Sequence, residues 1–160
     1  MSDITPSSVH LGPGKPGLVR VGTHFARQQA IFERFVSELA RLPESIPGLA
    51  IPGRDENPYL VTVHFLGVGY AITRAFEYVE SEGNEPRALS MLRLDQPAVR
   101  GTAVTSVTIG GESVWYDDDG KVADSHHDDL GLTLPADSEA VFCHLATAHW
   151  ASRGGDSGSR

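Results

Sequence analysis

The sequence predicts an α+β fold: an antiparallel meander of five to six strands covered on one face by an N-terminal and a C-terminal helix. Three observations lead there. Apolar residues recur at helical spacing from His24 to Leu42 and again from Glu139 to Ala151. Between those stretches the period drops to two, and Gly-Gly and Asp-Gly pairs punctuate the alternating runs. Helix, strands and helix in that order set both helices against one face of a twisted sheet.

In the first helix Phe25, Phe32, Phe35, Val36 and Leu39 fall on one stripe. Thr23 is placed to cap its start and Pro43 limits its end, while Arg27, Arg34, Glu38 and Arg41 form a solvated opposite face. Residues 43–58 hold Pro43, Pro47, Pro52 and Pro58, too many for regular structure, although 49–51 can pair briefly. A connection this long is a candidate functional segment.

From Tyr59 the pattern alternates, with Tyr59, Val61, Val63 and Phe65 facing one way and Thr62 and His64 the other. Gly67 and Gly69 mark a turn. Residues 70–79 also fit a helical stripe, but their aromatic content and acidic end favour a strand with Tyr70, Ile72, Phe76 and Tyr78 on one face. Strands follow over 88–94 and 102–109, then a Gly110-Gly111 turn, a strand over 113–116, an Asp119-Gly120 hairpin and a return over 121–123. The last helix is capped by Asp137 or Ser138 and groups Val141, Leu145 and Ala148.

A length of 160 residues suits one domain, placed at 18–151, with flexible segments at 1–17 and 152–160 where Pro, Gly and Ser accumulate. The N-terminus lacks the basic start and apolar run of a secretory leader, and no stretch is apolar enough to span a bilayer, so a cytoplasmic protein is expected. The lone Cys143 sits in an apolar run and reads as a small hydrophobe.

The formal net charge is -8, but it is unevenly spread: residues 77–139 carry 14 acidic and 4 basic side chains, net -10, against +2 elsewhere. Such a field disfavours direct nucleic-acid binding and steers a basic protein partner instead. Its densest stretch holds Trp115, Asp117, Asp118, Asp119, Asp124, His126, His127, Asp128 and Asp129, taken together as a binding surface. Asp117, Asp119 and His126 are weak metal candidates. The calcium-loop pattern fails at its first and last positions, which Trp115 and His126 occupy.

No nucleophile elbow, phosphate loop, dinucleotide fingerprint or HExxH motif is present, His144 and His149 do not share a helical face, and Cys143 and His144 point about 100° apart on a helix. Arg74 interrupts an aromatic strand face. Its simplest reading is a pairing with Glu77 or an exposed edge; otherwise it is a buried guanidinium over a ring, needing a carboxylate and able to meet an anionic ligand. The sequence is thus read as a non-catalytic, cofactor-free protein-binding module of inhibitor, immunity or chaperone type, acting through an acidic surface on a basic partner. An unpaired sheet edge admits a homodimer. The alternative is a small enzyme or ligand-binding protein with a cavity between the first helix and the sheet lined by His64, Tyr70 and Arg74, in one version dependent on a divalent cation.

Overall fold

The first apolar stripe folds as α1 (Gly14–Leu39), which buries Phe32, Phe35, Val36 and Leu39. The computed structural model describes residues 14–53, 56–79, 86–95, 98–100, 103–105 and 113–158, with the backbone alone at 98–100, 103–105 and 149–158. α1 starts well before the expected Thr23 cap. Pro16 lies in its first turn, where the N–H groups have no intrahelical acceptor to lose. Thr23 donates its hydroxyl to the Val19 carbonyl at 2.8 Å, the back-bond of a residue inside a helix. The helix gives way to a 3-10 turn at Leu42–Glu44 that includes Pro43. Residues 14–17, expected in a flexible segment, are therefore helical.

Seven strands form one antiparallel sheet: β1 (Leu49–Ala50), β2 (Leu60–Phe65), β3 (Val68–Val79), β4 (Arg87–Asp95), then, after the separate β5 (Ala98–Arg100) and β6 (Ala103–Thr105), β7 (Val114–Tyr116), β8 (Lys121–Ala123) and β9 (Asp129–Thr133). The ambiguous 70–79 stretch is a strand paired on both sides, with Val63 opposite Tyr70 and Ile72 opposite Leu94. The meander is interrupted once. β4 pairs directly with β7, Met91 opposite Trp115, while among the described residues β5 and β6 pair with each other and with no other strand. The expected strand over 102–109 is thus a separate ladder where it is described, and the Gly110-Gly111 turn lies outside the described residues.

β9 was not expected from the acidic run. Leu130 and Leu132 alternate inward from it and pack on the core, and a register shift at Val122/Ala123 with Gly131 at φ 71° accommodates its start. The sheet edge it forms is blunted: the Gly131 N–H donates to Asp129 Oδ1 at 2.8 Å and the Thr133 N–H to Asp137 Oδ2 at 2.8 Å.

α2 (Ser138–Gly158) starts where expected and continues through 152–158, which the sequence places in a flexible tail. Val141, Phe142 and Leu145 join the α1 stripe and the inward residues of the sheet in one core. Inward positions alternate along each strand: Val61 and Val63, Tyr70 to Tyr78, Ser90 to Leu94, Val114 and Tyr116, then Val122. At about 1.5–3 kcal/mol for each large apolar side chain fully removed from water, this shared face supplies most of the cohesion between layers. No described helix is long and apolar enough to cross a membrane.

Candidate functional site

Beneath residues 24–29 of α1 the interior carries a polar network. Arg74, on β3, is 6% exposed and turns inward; Glu77, the partner the sequence suggests, is exposed on the opposite face. The Arg74 guanidinium donates to Ser90 Oγ at 2.9 Å, Gln29 Oε1 at 2.5 Å and the Phe25 carbonyl at 3.2 Å. It lies 4.6 Å from the centre of the Phe25 ring and 5.7 Å from that of Phe76. Ser90 passes its own hydrogen to Gln28 Oε1 at 2.6 Å, and Gln28 Nε2 donates to the Ala88 carbonyl and to Asp118 Oδ1, each at 2.8 Å. Asp118 Oδ2 also meets His24 Nδ1 at 2.6 Å and Arg27 at 3.5 Å.

The buried cation and the half-buried carboxylate are therefore joined through a serine and a glutamine. Among the described residues Arg74 has no carboxylate at ion-pair distance, contrary to the direct partner a buried guanidinium was expected to need. Its charge is met by neutral oxygens and ring faces, and burial lowers its pKa below the ordinary arginine value.

The expected acidic surface divides into different roles. Asp117 Oδ1 accepts the N–H groups of Asp119 at 2.9 Å and Lys121 at 3.0 Å, closing a three-residue loop in which Gly120 is left-handed at φ 81°. Asp124, seven residues on, repeats the device: its Oδ1 accepts the N–H groups of His126 and Asp128, both at 2.9 Å, with His127 left-handed at φ 65° in the glycine's place. Those N–H donors, that of Asp128 foremost, hold the Asp124 carboxyl below the usual range. The His127 ring sits 5.9 Å from that of Trp115.

Asp117, Asp124 and Asp129 thus each use one carboxylate oxygen to hold local backbone, and Asp118 is turned under α1. Asp119, His126 and Asp128 face solvent. Asp117, Asp119 and His126 are not brought together, and among the described residues no three His, Cys, Asp or Glu side chains gather as metal ligands. The other expected cluster also separates: Tyr70 and Arg74 point into the core, whereas His64 is exposed on the outer face of β2. Gln29 and the Phe25 ring of α1 lie against Arg74 in the space between α1 and that part of the sheet. A depression of about 470 Å³ does open beside the His24–Asp118 pair, bordered by Arg87, Leu89 and Asp119.

At the opposite end lies an apolar groove of about 390 Å³. Val63 and Leu94 form its floor, Ile46 and Leu66 one side, and Phe142 and Thr147 of α2 the other. Sequence reading missed this feature because its walls come from a loop, a hairpin tip and α2. It also missed Gln28 and Ser90, although both occupy inward positions in otherwise apolar patterns.

Tyr116 closes the polar layer by donating to the Gln28 carbonyl at 2.8 Å. Burial pushes its pKa up to about 12, against partial opposition from Arg74 and Ser90. A phenol raised from 10 in the unfolded chain stabilises the fold fully below pH 10. That contribution is lost as pH rises through about 12. In an alkaline absorbance titration, Tyr116 should ionise late, together with unfolding. Tyr116→Phe should remove that late step; an unchanged titration would assign it elsewhere.

The chain matches no protein-family model, and no curated protein and no solved structure is significantly similar to it.

Proposed function

We propose that this protein is a non-catalytic protein-binding module, of inhibitor, immunity or chaperone type, whose acidic β7–β9 side meets a partner's basic side chains. The observation that carries this reading is the placement of charge. The segment from 77 to 139 has net charge -10, and after several aspartates are committed to turns, Asp119, Asp128 and Glu139 still face solvent. Like charges held on short hairpins project a negative field that accelerates encounter with a cationic surface and weakens with salt. The polar groups under α1 are directed at one another, which suits a structural layer better than a reaction centre.

Immobilised protein should capture a basic partner from lysate at low ionic strength and release it near molar salt. The double variant Asp119→Lys, Asp128→Lys should reduce capture by roughly tenfold or more while preserving the melting temperature, because rim charges act mainly on association. Capture indifferent to both salt and charge reversal would defeat the reading.

A further inference from the structure

The apolar groove carries a specific inference. Its floor residues Val63 and Leu94 are core side chains, 1% and 2% exposed, so the groove bottoms out on the packed core. Concave, mostly apolar sites of this size are where proteins commonly bind ligands. On its rim Leu66 is 64% exposed and left-handed at φ 54°, at a hairpin position that asparagine or glycine fills without strain. The Leu66 N–H is tied to the Gly48 carbonyl at 3.0 Å, and a Cβ on Gly48 would lie 2.8 Å from Leu66 Cδ2. Residue 48 is thus bare where the leucine must sit.

Among the described residues no charged side chain lines the groove, and Glu139, one turn before Cys143 on α2, faces solvent. Cys143 is on the α2 wall, and its thiol is raised first by burial and then by the Glu139 carboxylate one turn away. An anionic acyl chain would meet that carboxylate unfavourably, whereas an apolar segment with basic flanks complements both features.

We propose that this groove holds the apolar anchor side chains of a basic amphipathic polypeptide. The sign of the partner's charge rests on the reading of the previous section; the anchor position rests on the groove alone.

The test uses the full chain and a fluorescent helical peptide of leucine and lysine. Two controls replace lysine by glutamate or leucine by alanine. Binding is followed by anisotropy, and occupancy by protection of Cys143, the only cysteine, from a thiol reagent. The leucine-lysine peptide should bind and protect Cys143. Leu66→Asn, which suits the left-handed turn, should weaken binding about tenfold or more without lowering the melting temperature.

Equal binding of the alanine-lysine peptide, with Cys143 unprotected, would overturn the groove as anchor and leave the acidic-surface reading standing. Equal binding and protection by the leucine-glutamate peptide would overturn the basic character of the groove's occupant and leave the acidic-surface reading standing. Decanoate protecting Cys143 as well as the peptide does would make the groove an acyl site and overturn the polypeptide. Absence of binding by every probe would overturn the inference outright.

Discussion

Gly120→Ala is expected to destabilise the protein by on the order of 4 kcal/mol, lowering the melting temperature by roughly 8–16 °C. Two costs combine. Gly120 is left-handed at φ 81°, which charges an L side chain about 1–2 kcal/mol. A Cβ there would also stand 2.1 Å from the Leu134 carbonyl oxygen, a main-chain atom on the segment leading into α2. That segment is pinned by the Leu134 N–H donating to the Gly120 carbonyl at 2.8 Å, so one cannot move without the other. Gly120→Asn separates the terms, since asparagine tolerates the left-handed region but carries the same Cβ. Asparagine should therefore rescue little; a near-native melting temperature for it would show that conformation, not crowding, makes glycine necessary.

Arg74→Ala should cost about 3–5 kcal/mol, the scale expected when a large side chain is cut away and buried acceptors lose their donor. The variant leaves Ser90, Gln29 and the Phe25 carbonyl without the guanidinium and opens space between the Phe25 and Phe76 rings. Arg74→Met restores much of the volume and the ring contacts, so it should lose clearly less. Denaturant unfolding compares the two. If alanine costs under about 1 kcal/mol, the polar layer contributes little and α1 is held by its apolar stripe alone.

The position of that layer was legible in the sequence, but its meaning was not. Gln28 follows Phe25 by three residues and precedes Phe32 by four, an inward position on the α1 stripe; Arg74 and Ser90 fall in the inward register of β3 and β4. Each looks like an isolated fault in an apolar pattern. Only when Ser90 stands between Arg74 and Gln28 do the faults become a satisfied network. The acidic stretch conceals a division of another kind. Within one run of charge, Asp117 and Asp124 repeat one turn device seven residues apart and Asp118 reaches back to His24. A carboxylate reads the same in a sequence whether it faces solvent or caps a loop.

The sequence by itself determined the fold class, the inward faces of α1, β2 and β3, and the start of α2, because periods of 3.6 and 2 are local consequences of backbone geometry. Tertiary structure decided that β4 bypasses β5 and β6 to pair with β7, that an acidic run continues as the edge strand β9, that His24 meets Asp118, and that a groove opens between α2 and the β2–β3 tip. These depend on residues many positions apart meeting across layers. That meeting is set by the best joint packing and hydrogen bonding of the whole chain, a quantity no single segment's pattern contains.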